Sequence, residues 1–230
     1  MSFSYESGSG LDYKTKGLDM YQDYFWDFDG TLYDTYAGMV KAFCQAFSKQ
    51  KVTLDPKEIY YLMRVESVRY CFSKYLKLYP QVEEKQVKQD YRQIESELRE
   101  DAKPFEGASA VLKKIAFLKG RNFLLTHRNR SALQLLEKED LTPYFTAFVT
   151  ADDAFKRKPA PDSLNFLIEK YHVDRSKAVM VGDRTLDIEA GHNAKISGIL
   201  FDPDCLIAAD ACQPERVVRR LSEIIDEADD

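Results

Sequence analysis

The chain has 230 residues, 44% hydrophobic and 31% charged, with 10 Gly and 8 Pro, a globular composition that excludes collagen-like and wholly disordered classes. Its 33 basic and 38 acidic residues leave a net charge of −5, and no run of Lys or Arg is long enough to track a phosphate backbone, so no nucleic acid polymer is expected as a partner. No stretch approaches the ~18–20 uninterrupted apolar residues of a membrane span, and the N-terminus lacks the basic-then-apolar order of a signal peptide; no membrane association and a cytoplasmic location are expected.

Residues 1–19, rich in Ser, Gly and Tyr, show neither helical nor strand period and read as a flexible leader that turnover should not need. YFWDFDG (residues 24–30) is an aromatic run ending in Asp and Gly, a buried strand entering a tight turn. From Thr35 to about Ala102 apolar residues recur at helical spacing: Val40, Phe43, Cys44 and Phe47, then Ile59, Leu62 and Met63, then Val87, Tyr91, Ile94 and Leu98. Asp55-Pro56 supplies an N-cap and first-turn proline, and KPFEG (103–107) marks the end of this helical block.

Beyond Gly107 the pattern alternates. Helices are predicted over 108–119, 130–139, 161–171 and 185–194, and strands over 122–126, 146–150, 178–182 and 197–201. A last helix is predicted over 214–226, with Val217, Val218, Leu221, Ile224 and Ile225 on one face. Alternating strands and helices imply a mostly parallel sheet covered on both sides. The four cysteines (Cys44, Cys71, Cys205, Cys212) have no C-x-x-C spacing and no His cluster nearby, so reduced thiols are expected and a zinc site is not.

Ligands of open parallel sheets sit beyond the carboxyl ends of the strands. Those ends carry Asp27 and Asp29, Thr126, Thr150 with Asp152 and Asp153, and Gly182-Asp183. Asp27 and Asp29 are two positions apart, so their side chains are expected to converge, and their repulsion would be relieved by a divalent cation or one shared proton.

DFDGT (27–31), FLLT ending at Thr126, Lys158 in FKRKPAPD and VGDRTLD with Asp183 and Asp187 follow one another in that order. Together they resemble the four motifs of the haloacid dehalogenase superfamily, the Asp-nucleophile phosphatases, over roughly residues 21–226, and the helical block matches the family's cap inserted after the first motif. The resemblance, to the phosphoglycolate phosphatase and β-phosphoglucomutase group, implies an α/β, Rossmann-like doubly wound parallel sheet over 20–33 and 104–230, with a small all-helical cap over 34–103. It implies a phosphomonoester hydrolase of a small phosphorylated metabolite, such as a sugar phosphate, phosphoglycolate or a nucleotide monophosphate, working as a monomer or homodimer.

By the same resemblance Asp27 is the nucleophile that forms an aspartyl-phosphate, and Asp29 the acid and base, with its pKa raised by its neighbour. Thr126 and Lys158 hold the phosphoryl group. Mg²⁺ is held by the side chains of Asp27 and Asp183 and the backbone carbonyl of Asp29, with Asp187 as a ligand through water or an outer acceptor. His127 and Arg128 replace the small or amide residue common in relatives after the Thr, and one of them is a candidate contact for the leaving group. Arg64 and Arg69, in the cap with Glu66 between them, are candidates to reach the site on closure, and Tyr33, Tyr36 and Tyr70 are candidates to line the same cleft. The alternative is a phosphomutase of the β-phosphoglucomutase type; Thr31 leans against it. A dehalogenase would not need the metal pair, and a non-catalytic binding module would not need Asp27, Asp183 and Lys158 together.

Overall fold

A strand with aromatic residues on both faces has to run through the middle of a sheet. In the computed structural model, which describes residues 21–225, β1 (Asp23–Trp26) does so, with Tyr24, Phe25 and Trp26 all buried. The leader expected over 1–19 and the end of the helix expected over 214–226 lie outside the described residues.

After β1 the chain makes a two-residue strand β2 (Tyr33–Asp34) and then four helices, α1 (Tyr36–Ser48), α2 (Pro56–Val65), α3 (Val68–Leu78) and α4 (Glu84–Arg99). The Asp55 carboxylate caps α2 by accepting from the Lys57 amide at 3.0 Å, as its position before Pro56 predicts. The break between α2 and α3 falls at Glu66-Ser67, and Ser67 caps α3 by accepting from the Tyr70 amide at 3.0 Å. These helices enclose an apolar cluster of their own, centred on Phe43, Phe47, Ile59, Phe72 and Tyr75. The returning strand β3 (Lys103–Pro104) pairs antiparallel with β2, Tyr33 opposite Pro104, so the chain leaves and re-enters the sheet side by side. Two strands this short carry no period, and the sequence does not reveal them.

The remaining elements are α5 (Ala108–Phe117), β4 (Arg121–Leu125), α6 (Ser131–Lys138), β5 (Phe145–Val149), α7 (Asp162–Lys170), β6 (Ala178–Gly182), α8 (Thr185–Asn193), β7 (Ser197–Phe201) and β8 (Arg216–Val218). Six parallel strands lie in the order β5-β4-β1-β6-β7-β8. This is the doubly wound α/β arrangement. One apolar cluster joins one sheet face to α5 and α6, and another joins the opposite face to α7 and α8. Winding runs outward through β4 and β5 on one side of β1 and through β6 to β8 on the other, so the direction reverses at β1 and opens a crevice at its carboxyl end.

The predicted final helix is corrected. Arg216–Val218 is a strand on the open edge of β7, and among the described residues only a single 3₁₀ turn, Leu221–Ile224, follows. Adjacent β-branched valines favour a strand, and their exposure alternates with period two: Val217 is 46% exposed and Val218 1%. No helix among the described residues is long and apolar enough to cross a membrane.

Candidate active site

The crevice gathers three carboxylates. Asp27 follows β1, held by its amide donating to the Val181 carbonyl at 2.9 Å; Asp183 follows β6; Asp187 lies in the first turn of α8. Carboxylate oxygens of the three, all buried, lie within 4.8 Å of one another. Gly30 makes the approach possible: its φ is +80°, and a Cβ there would stand 2.5 Å from Asp183 Oδ2 and 2.3 Å from a Tyr36 ring carbon. Thr31 Oγ1 donates to Asp183 Oδ1 at 3.3 Å and the Tyr36 hydroxyl to Oδ2 at 3.0 Å.

Lys158 enters this cluster from the loop before α7. Its Nζ is 2.6 Å from Asp27 Oδ1 and 2.6 Å from Asp187 Oδ1, and it donates to the Leu125 carbonyl at 3.1 Å. Burial alone would depress the lysine, but Asp187 and Asp27 outweigh it and hold its pKa raised. Burial, followed by the neighbouring Asp187 and Asp183 against the opposing Lys158, pushes Asp27 up to about 7, and Asp183 is pushed up to about 6, again mainly by burial. Asp27 Oδ2 is buried with no hydrogen-bond partner. Hard oxygen donors with an unfilled lone pair fit a divalent cation of the Mg²⁺ type.

A carboxyl group whose folded pKa is raised stabilises the fold fully below its unfolded value, here 3.8, and that contribution is lost as pH rises through the folded values of about 6 and 7. Chelator-treated protein is therefore expected to melt lower at about pH 8 than at about pH 5.5. A divalent cation at 100 times its Kd should return about 2.7 kcal/mol, roughly 5–10 °C for a chain of this size, with the larger shift at the higher pH. Thermal unfolding with and without Mg²⁺ checks this; no cation-dependent shift at pH 8 would count against a metal site here.

Asp29 departs from the sequence reading. Its side chain does not converge with that of Asp27 but pairs with Arg128, whose Nε donates to Asp29 Oδ1 at 2.8 Å and Oδ2 at 3.1 Å and whose Nη2 is 2.6 Å from Oδ1. β1 ends at Trp26, so the alternation of a strand no longer governs Asp29. Arg128 Nη1 also donates to Glu95 of α4 at 2.8 Å. Thr126 follows β4, buried, and its Oγ1 accepts from the Arg128 amide at 3.0 Å, leaving the hydroxyl proton free.

His127 turns the other way. Its Nε2 accepts from the Lys158 amide at 3.0 Å, and burial, with Lys158 and Arg157 close by, pushes its pKa down to about 3. It is a neutral strut that positions the Lys158 loop. Of the cap candidates, Arg64 reaches the site and Arg69 does not. Arg64 Nε is 3.3 Å from Asp183 Oδ2, while Nη2 and Nη1 are 3.3 Å from Asp202 and Asp204 at the end of β7. Arg69 lines a groove between α3 and α4 with Phe72 and Tyr91. Tyr36 reaches Asp183, whereas the Tyr33 hydroxyl donates to the Leu135 carbonyl and Tyr70 is exposed. Asp152 and Asp153 are turn residues, accepting from the Arg130 and Thr150 amides.

Glu95, Tyr60, Asp202, Asp204 and Arg184 were not singled out from the sequence. Two had a signal available: Glu95 adjoins the apolar positions Tyr91, Ile94 and Leu98 of α4, and Arg184 lies between Asp183 and Asp187.

A family model described as "Haloacid dehalogenase-like hydrolase" matches residues 24–201. The protein named "Probable phosphatase IndB" from Dickeya dadantii is 27% identical over 212 residues, 87% of this chain and 90% of that protein. "Pyrophosphatase PpaX" from Bacillus pumilus is 30% identical over 121 residues, 50% of this chain and 56% of that one. A solved hydrolase from Streptococcus pneumoniae superposes with a TM-score of 0.62 at 36% identity, covering 79% of this chain and 92% of its own.

Proposed function

Because the chain belongs to the haloacid dehalogenase-like hydrolases, we propose that it hydrolyses small phosphomonoesters with Asp27 as nucleophile. One observation carries this reading: Asp27 has one oxygen fixed by Lys158 and the other buried without a partner, at the carboxyl end of the central strand. A carboxylate held in this way has one lone pair aimed for attack and no competing hydrogen bond.

In the first step an oxygen of Asp27 bonds to phosphorus, the ester P–O bond breaks, and the leaving oxygen takes a proton from Asp29. In the second, water attacks phosphorus, gives a proton to Asp29, and orthophosphate leaves as the Asp27 carboxylate re-forms. For either transfer Asp29 has to part from Arg128, so movement of that arginine belongs to the cycle. The Thr126 hydroxyl donates to a phosphoryl oxygen, and Lys158 supplies fixed positive charge to Asp27 and the group in transfer. Mg²⁺, held by Asp27, Asp183, the Asp29 carbonyl and, directly or through water, Asp187, would offset the charge of the phosphate dianion. Residues 34–103 serve as the cap that excludes water.

Orthophosphate release from a panel of sugar phosphates, phosphoglycolate, nucleoside monophosphates and pyrophosphate, each with Mg²⁺ and with chelator, tests the reading. Mg²⁺-dependent release from at least one is expected; release from none, or release indifferent to chelator, would overturn it. Formation of an isomeric sugar phosphate without orthophosphate would identify a mutase instead, a result the engagement of Thr31 with Asp183 does not favour.

A further inference from the structure

Three cations around the carboxylate cluster are engaged by acids: Lys158 by Asp27 and Asp187, Arg128 by Asp29 and Glu95, and Arg64 by Asp183, Asp202 and Asp204. Arg184 is different. It is the N-cap residue of α8, in extended backbone (φ −133°, ψ 158°), and its amide donates to Asp187 Oδ2 at 3.2 Å. Yet among the described residues its guanidinium forms no ion pair, and its Nε is enclosed with no acceptor.

Arg184 nevertheless stands among the groups of the site. Burial alone would lower its pKa, but Tyr36, Asp183, Asp187 and Asp27 raise it, and its own charge acts in turn on Asp27, Asp183 and His127. An arginine present only to neutralise the aspartates would touch one of them, as Lys158 does. The phosphoryl position beside Asp27 already has Lys158 and Thr126 on the β4 side. Arg184 lies on the opposite side, on the β6–α8 connection and within electrostatic reach of Tyr36 from α1, where cap and sheet meet. A planar guanidinium is matched to two oxygens of a phosphate or carboxylate.

We propose, on the phosphomonoester reading above, that Arg184 receives a second anionic group on the substrate's leaving group, and that it thereby selects phosphoesters carrying such a group over those whose phosphate is the sole anionic group. The second oxyanion is a further phosphate or a carboxylate within a few bonds of the scissile one.

The test is calorimetric binding, at fixed free Mg²⁺, of methylphosphonate (one oxyanion), methylenediphosphonate (a second phosphate mimic) and phosphonoacetate (a carboxylate). The wild-type protein is expected to bind at least one of the latter two tenfold or more tightly than methylphosphonate, and which one names the source. Arg184→Gln should reduce that preference to threefold or less, and Arg184→Lys should keep part of it, since a lysine supplies charge without the fork. In turnover, kcat/KM for a substrate with a second anionic group should fall at least tenfold more than for p-nitrophenyl phosphate, mostly through KM. Equal weakening of all three phosphonates would mean that Arg184 serves the scissile group and would overturn the proposal, as would an unchanged preference. If Arg184→Gln does not fold, Arg184→Lys carries the same comparison. A wild-type protein that hydrolyses no phosphoester would overturn the phosphatase reading, while the phosphonate preference still decides the role of Arg184.

Discussion

Asp27→Asn is expected to lower turnover of any phosphoester by roughly 10⁴-fold or more, because an amide has no anionic lone pair with which to attack phosphorus. The same variant should melt no lower than the wild-type protein, and higher in the absence of metal. Asp27, Asp183 and Asp187 are buried within 4.8 Å of one another with Lys158 as the ammonium among them, so a neutral amide at position 27 removes like-charge repulsion from the fold. Lys158 keeps Asp187 as its partner. Orthophosphate release and thermal unfolding read the two effects separately. A loss of activity accompanied by unfolding would indicate a structural Asp27, and turnover at the wild-type rate would remove it from the chemistry.

Arg64→Met should have the largest effect on stability. Arg64 is 1% exposed, and it carries the positive charge for Asp183, fully buried, and Asp202, 3% exposed. Removing one partner of a buried pair strands the others, at a typical cost of about 3–5 kcal/mol. For a chain of this length that is a fall in Tm on the order of 10 °C. Asp204 is 47% exposed on its side chain and contributes little of this. Arg64 also stacks over the Tyr36 and Tyr60 rings at 5.4 and 5.9 Å, contacts that methionine keeps only as packing. Asp202→Asn added to Arg64→Met should recover part of the loss, since the stranded charge goes with it; a double-mutant cycle on Tm and denaturant midpoints measures the coupling. Additive losses would show that the Arg64–Asp202 contact carries no energy of its own.

What the sequence revealed depended on the range of each signal. Aromatic residues on both faces of Tyr24–Trp26 identify a central strand, and short β-branched runs bounded by turn residues locate β6 and β7 to the residue, because both properties are local. Motif order placed Asp27, Thr126 and Asp183 at strand ends, and their backbones do follow β1, β4 and β6, while Lys158 reaches Asp27 from the loop between β5 and α7. The orientation of Asp29 was not legible. It depends on Arg128, 99 positions later, whose own direction depends on Glu95 in the cap. Arg64 was a candidate from its chemistry, but its partners Asp202 and Asp204 lie 138 and 140 positions away on the far side of the sheet sequence. The error over 214–226 has the same root: helical spacing and a strand followed by a turn both place Val218, Leu221 and Ile224 inward and differ at Val217, and the free edge of β7 decides between them.

The position of β1 sets an order on synthesis. Asp23 pairs with Arg121 on one side and with Ala178 on the other, so β1 leaves the ribosome well before either of its neighbours and is among the last strands to be completed. At about 5–20 residues per second, its aromatic faces wait several seconds or more for both neighbours. The four cap helices, whose apolar cluster is assembled from residues close in the chain, can collapse during that interval. The helical insertion thus lengthens the exposure of the aromatic central strand while being itself the segment able to fold first, and nascent chains arrested before β6 emerges should be those that most need a chaperone.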